Sequence, residues 1–253
     1  MRKPEMGKYG LYRFFMKSNA IQPYLPQTQI FSVGTFADML KKHKMVYVKP
    51  SAGSQGKGIL KAWLEGSSVN VKKTTLQTRS HPSIAAAAAA IDRQRDGKRF
   101  IVQQGIHLAK VYGRPFDIRI MMQRDRPGGE WRYTAMCAKV AGPSSVVTNA
   151  ALSKGTVIDV NDALHKAFSW SKLRIQAMEK QLILLGFLAA NHFENYQPYR
   201  ELGLDVAVDV NGRLWLLEEN TGPSHLLFAK KHAKADFRRI QYRWGVFQRA
   251  RRR

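Results

Sequence analysis

Apolar and polar residues change period several times along this chain, and each change predicts an element. From Lys8 to Lys17 the apolar positions Leu11, Tyr12, Phe15 and Met16 recur at helical spacing, so a helix is expected first. Asn19, Pro23 and Pro26 punctuate it, and Thr35-Phe36-Ala37-Asp38 reads as a capping box that opens a short helix to about Lys44. The period then drops to two: Val46 and Val48 face one way, Tyr47 and Lys49 the other, in a strand stopped by Pro50. Six alanines, Ala85 to Ala90, predict a helix starting near Pro82. Arg99 to Ile106 reads as a strand running into Gly105, a hinge between lobes. Phe116, Ile118, Ile120 and Met122 then share one strand face, and Asp117, Arg119 and Met121 the other. An acid and an arginine on one face suggest a cleft wall, with a solvated ion pair as the alternative. Pro127-Gly128-Gly129 turns the chain back into a strand on which Lys139 is expected beside Trp131, Tyr133 and Cys137, the two ring residues reading as core. Between Ser171 and about Leu188, apolar residues on two helical faces predict a largely covered helix.

The stretch Leu204 to Pro223 is the most informative. Asn211-Gly212 between alternating apolar residues predicts a hairpin with a two-residue turn. Counting outward from a Val210–Arg213 pair sets Asp209 opposite Leu214, Ala207 opposite Leu216 and Asp205 opposite Glu218. Asn220 joins the Asp205 and Glu218 face, while Glu219 is expected to point away with Trp215 and Leu217. Two carboxylates facing each other repel. A cation between them is one reading, and hard oxygen donors of this kind suit Mg²⁺ or Mn²⁺ with substrate phosphates completing the shell. A solvated hairpin that tolerates two acids is the other.

Composition narrows the partners. The chain has 253 residues, 44% of them hydrophobic, enough for one large or two small lobes. Its one cysteine, Cys137, excludes an internal disulfide and points to a reducing compartment. No apolar leader or spanning run is present, so a cytoplasmic protein is expected. The net charge of +24 is spread over body and tail and calls for polyanions: nucleotide phosphates, nucleic acid, an anionic wall polymer or a membrane face. In the tail, Phe237, Ile240, Trp244 and Phe247 form the apolar stripe of a basic helix, which either docks on the body or captures a polyanion.

The loop after Lys49, with Gly53, Gly56 and Gly58, lacks the residues of a P-loop and reverses the dinucleotide fingerprint. It reads as a glycine-rich flap whose N–H groups can wrap phosphates beside a strand lysine that holds them, or else as a plain turn.

In order, the strand lysine and flap, hinge strand, Asp-x-Arg strand, Asn-containing loop and Asp, Glu-x-Asn hairpin resemble the ATP-grasp fold. The wording YVKPSAGSQGKGI, PFDIRIMMQRD, GEWRYTAMCAKVA and LGLDVAVDVNGRLWLLEENTGPS is similar to the YheC/YheD family associated with bacterial endospore coats. The resemblance implies an α+β fold with ATP between two lobes, about 20–103 and about 104–228, followed by a basic helical tail over 229–253. It implies Lys8 and Lys49 on the phosphates, Ser54, Gln55, Gly56, Lys57 and Gly58 folding over them, and Gln103, Gln104 and Ile106 meeting the adenine. Arg119, Lys139 and Asn149 would face the transferred phosphate or acyl group, and Asp205, Glu218 and Asn220 would carry Mg²⁺. Lys110 stands near where an acid often holds the ribose. The domain that usually precedes such a unit is expected to be missing or nearly so, because the first nucleotide lysine would be Lys8.

The implied activity is an ATP- and Mg²⁺-dependent ligase, which activates a carboxylate as an acyl phosphate for attack by an amine during spore coat or envelope formation. The alternative is a non-catalytic ATP-binding structural protein of the spore surface. Nucleic-acid binding ranks last, since no recognised module is present and aromatics interleave with Lys/Arg only in the tail.

Overall fold

A computed structural model describes residues 6–53, 58–74, 76–143, 145, 155–229 and 234–251. In chain order its elements are α1 (Lys8–Phe15), β1 (Thr28–Ile30), α2 (Val33–His43), β2 (Met45–Pro50), β3 (Leu60–Glu65), β4 (Ser68–Lys73), β5 (Thr78–His81), α3 (Ile84–Arg95) and β6 (Phe100–Gln104). There follow β7 (Lys110–Val111), β8 (Arg114–Gln123), β9 (Arg132–Val140), β10 (Thr156–Ile158), α4 (Val160–Phe168), α5 (Lys172–Phe193), β11 (Glu201–Val208), β12 (Leu214–Asn220), α6 (Leu226–Ala229) and α7 (Ala235–Arg251).

The strands form two antiparallel sheets, ordered β1-β6-β2-β3-β4-β5 and β10-β9-β8-β11-β12, with β7 paired to β8. This is the expected α+β, two-lobed architecture. Each sheet buries one face under helices and turns the other to the cleft, although on the second sheet α6 and α7 cover part of that face. In the first lobe, Phe36, Met39 and Leu40 of α2 and Ala87, Ala88 and Ile91 of α3 pack on Val46, Val48, Ala62, Val71 and Val102. In the second, Ile175, Met178, Leu182 and Leu185 of α5 pack on Phe116, Ile118, Ile120, Leu204 and Val206. Phe15 of α1 joins this second core, so the first helix belongs to the later lobe.

Several boundaries differ from expectation. Ser32, not Thr35, caps α2: its hydroxyl accepts from Thr35 N at 3.0 Å while the Thr35 hydroxyl accepts from Ser32 N at 2.7 Å. Reciprocal bonding needs the second hydroxyl three residues inside the helix, and that is Thr35. Likewise Ser83 caps α3 through Ala86 N at 3.1 Å. The helix α5 extends to Phe193 but is not largely covered, since Leu173 and Leu184 are exposed. No element is expected from the sequence at β1, β3, β4, β5, β7, β10 or α4; the strands are short, whereas α4 does carry a helical signal, with Val160, Ala163, Leu164, Ala167 and Phe168 at i, i+3, i+4, i+7 and i+8 behind the Asp159 cap.

The hairpin departs in an instructive way. Its turn is not the two-residue Asn-Gly turn, because the Asp209 carboxylate reorganises it. One oxygen, Oδ1, accepts from Asn211 N and Arg213 N, both at 2.9 Å, and Oδ2 accepts from the Trp215 indole N–H at 2.9 Å. Asp209 N donates to Arg213 O at 2.9 Å, which leaves a loop of Val210, Asn211 and Gly212 with Gly212 at φ 83°. The register is therefore Val208–Leu214, Ala207–Trp215 and Val206–Leu216, one residue from expectation. A bulge between Asp205 and Val206 then absorbs Leu217, and Asp205 meets Glu218 as the sequence predicts. The enlarged turn puts Trp215 opposite Ala207 and so on the Asp205 side, where it packs with Ile106 and Ala207, and Leu217, the bulged residue, lies against them. A second bulge, between Met121 and Met122, corrects another expectation. Lys139 and Cys137 share the cleft face, whereas Trp131 and Tyr133 belong to the opposite, helix-covered core.

Candidate active site

Two elements, β2 and α1, bring basic groups to the mouth between the sheets. Lys49 ends the cleft face of β2, and its ammonium donates to Gln103 Oε1 at 2.6 Å. Gln103, on β6, is held in turn by its own donation to Thr28 Oγ1 at 3.0 Å, and Thr28 donates to Pro26 O at 2.9 Å. A neutral amide fixes the lysine without cancelling its charge. Burial, reinforced by Lys8 and only partly offset by Glu218 and Asp117, brings the Lys49 ammonium down to about 8. Lys8, the first residue of α1, donates to Gly53 O at 2.5 Å and lies 3.7 Å from Glu218 Oε1. The backbone of Lys8 is tied to the same loop, N to Ser51 O at 2.8 Å. Residues Ser54, Gln55, Gly56, Lys57 and Asn149 lie outside the described residues. Gly58, where the described chain resumes, has φ 75°, and a Cβ there would come within 3.1 Å of Pro50 Cγ.

The hinge is tightly built. Gly105 N donates to Met45 O at 2.8 Å, and a Cβ on Gly105 would meet that oxygen at 2.7 Å and the Met45 side chain at 2.6 Å. Gln104 pairs twice with Gln27, its N to Gln27 O at 2.8 Å and its Oε1 to Gln27 N at 3.1 Å. Ile106 is buried against Ala207 and Trp215. The Gln103 and Gln104 side chains are thus engaged within the lobe.

On the second sheet, period-2 alternation places Asp117, Arg119, Lys139 and Asp205 on the cleft face. The pairing aligns Asp117 with Lys139 and Arg119 with Asp205. Arg119 forks onto Asp205, Nε to Oδ1 at 2.6 Å and Nη2 to Oδ2 at 3.1 Å. Lys139 Nζ sits between Asp205 Oδ1 at 2.8 Å and Asp117 Oδ1 at 3.1 Å. Burial would raise the Asp205 carboxyl, but Arg119 and Lys139 outweigh it and hold it well below the usual carboxylate range. Burial likewise opposes the charge on Lys139, yet Asp117 and Asp205 outweigh it and push its ammonium up. Two acids and two bases are thus mutually neutralised in a buried quartet. Asp117, noted on this face but not singled out, completes it; its position two residues before Arg119 on one strand was the available signal.

The quartet alters the premise for the metal. Repulsion between Asp205 and Glu218 is already answered by Arg119 and Lys139 on one side and Lys8 on the other, so it does not by itself demand an ion. Among the described residues no group of three or more His, Cys, Asp or Glu could hold a metal. Glu218 and Asn220 remain as hard oxygen donors facing the cleft. Asn220 lies opposite Gly203 and donates its amide N–H to Gly203 O at 3.3 Å, which leaves its oxygen as the acceptor end. A divalent cation fits here if phosphate and water supply the rest of its shell.

The tail helix docks. Ile240 of α7 is buried with Phe228 against Met121, Ala135, Cys137 and Val157, with Phe237 partly buried against the same cluster, on the quartet's sheet face but farther along the strands. Arg243 Nη1 donates to both carboxylate oxygens of Asp125, at 2.7 and 2.9 Å. No helix among the described residues is long and apolar enough to cross a membrane.

Comparison with solved structures places this arrangement. D-cycloserine synthetase DcsG superposes with a TM-score of 0.55 at 14% identity, covering 93% of this chain and 69% of that one. The ATP-grasp ligase PsnB, solved with a minimal precursor, Mg and ADP, superposes with a TM-score of 0.51 at 12% identity, covering 95% of this chain and 58% of that one. At such identities these likenesses show the fold, which is ATP-grasp. In sequence, the endospore coat-associated protein YheD of Bacillus subtilis (strain 168) is 26% identical over 235 residues. That match takes in 90% of this chain and 50% of YheD, so the chain spans about half the length of this relative. The family described as YheC/D like ATP-grasp matches residues 2–244, from before α1 to within the docked tail helix. With that match over nearly the whole chain, and the two facing sheets, the protein belongs to the YheC/D like ATP-grasp family.

Proposed function

We propose that the chain binds ATP with Mg²⁺ between its two sheets and activates a carboxylate as an acyl phosphate for attack by an amine. The observation that carries this is Lys8, which joins the two lobes: from α1 on the second lobe it lies 3.7 Å from Glu218 and donates to Gly53 O, at 2.5 Å, in the loop that follows Lys49. Lys49, half-buried and held by an amide rather than an acid, supplies a cation ready for phosphate oxygens. Lys8 can exchange its contact with Glu218 for a phosphate. Glu218 and Asn220 would hold Mg²⁺, which when bound neutralises phosphate charge and orients the transferred group. Gln104 to Ile106 would line the adenine end, the tight Gly105 contact keeping the hinge backbone close to β2. Arg119 and Lys139 would stabilise charge on the acyl side, and the reading is supported by an Asp205 that holds both in place. Ser54 to Lys57 and Asn149 keep the flap and acyl roles that the resemblance implies.

One observation favours a second reading. Both cations assigned to the reacting end are committed to carboxylates, so a protein that binds ATP without turnover, serving at a spore surface as the name of its YheD relative suggests, is also consistent with this geometry. ADP release separates the two. With ATP and Mg²⁺, a panel of amino acids and cell-wall precursors should include at least one pair that stimulates release. Tight ATP binding with no stimulated release would support the structural reading, and no ATP-induced thermal shift would remove both.

A further inference from the structure

The hinge strand begins a line of side chains that continues across the first sheet. On the cleft face Gln103 is paired with Tyr47, Tyr47 with Lys61, and Lys61 with Lys72. Four strands, β6, β2, β3 and β4, thus present one row that starts at the hinge and ends in two lysines side by side. Lys61 is half-buried, with its ammonium 5.2 Å from the Trp63 ring centroid. A third lysine, Lys110, is exposed on β7, just past the hinge on the other lobe, near enough to Lys61 for their charges to repel. Burial, with Lys110 and Lys72 adding to it, pushes the Lys61 ammonium down. Among the described residues none of the three lies within ion-pair distance of a carboxylate.

Like charges directly opposite on neighbouring strands are destabilising. On the second sheet such charges are balanced, since the quartet is neutral and Lys8 faces Glu218, while on the first sheet Lys49 is held by the Gln103 amide. The three lysines are left unbalanced, and they come from both lobes, so an anion between them would be held by each. They lie off the Lys49 position, whose strand partner is Ile101 rather than Gln103. We propose that Lys61, Lys72 and Lys110 form a second anion site beside the hinge, which takes a phosphate monoester. The site goes beyond the ATP reading, and only its ribose-borne form rests on that reading. The phosphate has two possible carriers, the ribose of the nucleotide itself or a separate phosphorylated molecule.

Calorimetric titration at physiological ionic strength distinguishes them, using the whole chain and a Lys61→Gln/Lys72→Gln double variant whose melting temperature is at or above that of the parent. The probes are AMP, adenosine 3′,5′-bisphosphate and inorganic phosphate. If the ribose carries the group, the bisphosphate should bind the parent about tenfold tighter than AMP, as one added charge-assisted contact predicts. The double variant should lose that advantage and keep its AMP affinity. If a separate molecule carries it, bisphosphate and AMP should bind alike, while inorganic phosphate shows saturable binding that vanishes in the double variant and survives in Lys49→Met. Absence of both patterns overturns the proposal. So does loss of AMP binding in the double variant, because the lysines would then belong to the nucleotide site itself.

Discussion

The two walls of the cleft solve the same electrostatic problem in opposite ways. On the second sheet Asp117, Arg119, Lys139 and Asp205 satisfy one another at 2.6 to 3.1 Å and need nothing from outside. On the first sheet Lys49 is held by an amide, and Lys61 and Lys72 stand side by side. One wall is finished without ligand and the other is not. Breaking a buried, paired set leaves an uncompensated charge, whereas removing an unbalanced cation removes a cost. Stability should therefore be concentrated in the second wall and binding in the first.

The largest expected effect breaks the finished wall. Asp205→Asn leaves Arg119 and Lys139 without their shared carboxylate and should cost roughly 3–5 kcal/mol of stability. Denaturant unfolding measures this directly. A loss comparable to that of an exposed ion pair would mean the quartet relaxes into solvent and the contrast between walls is false.

On the unfinished wall the sign should reverse. Lys49→Met should leave the ligand-free protein as stable as the parent or more so, and should remove most of the thermal shift produced by ATP. The binding loss expected for one charge-assisted contact is about 1.5–3 kcal/mol. A destabilised variant that still shifts with ATP would make Lys49 a structural residue.

These contrasts were only partly readable from the sequence. Asp205 opposite Glu218 was, although through two offsets that cancel: Asp209 enlarges the turn by one residue and the bulge at Leu217 removes it. Alternation alone cannot see either, because the Asp209 carboxylate finds its three N–H partners only after the strands meet. Where one offset stood uncompensated, at the bulge between Met121 and Met122, Trp131 and Tyr133 were expected on the wrong face. The apolar stripe of the tail was legible at Phe237, Ile240 and Phe247, but its receptor was not. Met121, Ala135 and Cys137 look like ordinary strand residues until α7 covers them. The quartet was half legible, since Asp117 and Arg119 sit two apart on one strand while their partners lie on two others.

Adjacent glutamates test the hairpin itself. Glu218 pairs with Asp205, and Glu219 pairs with Leu204, a residue of the helix-covered core. Glu218→Gln should weaken Mg²⁺-dependent ATP binding by about tenfold or more, on the order of one charged oxygen ligand. Glu219→Gln should leave the Mg²⁺ dependence unchanged. Titrating Mg²⁺ against bound ATP in both variants checks the pair, and a stronger effect at Glu219 would put the other face toward the nucleotide.

The smallest effect is a pH dependence that belongs to the unfinished wall alone. Lys49 titrates at about 8 in the folded protein, below the ordinary lysine value of 10.5, because burial opposes its charge. Between those two values the unfolded chain binds more protons than the folded one, so this group makes stability rise with pH across about 8 to 10.5. Its cost is present in full below that window and is relieved as the folded lysine loses its proton. ATP binding has the opposite sign. Phosphate oxygens favour the ammonium, so binding above about pH 8 must draw in a proton, and affinity should fall by up to tenfold per pH unit there. Calorimetry in two buffers of different ionisation enthalpy reads that uptake: close to one proton at pH 9 in the parent and none attributable to this group in Lys49→Met. In the folded protein Asp205 and Lys139 of the quartet are shifted away from this range, the carboxyl held far below it and the ammonium pushed up. Equal proton uptake in parent and variant would assign the titration elsewhere and leave Lys49 outside the phosphate site.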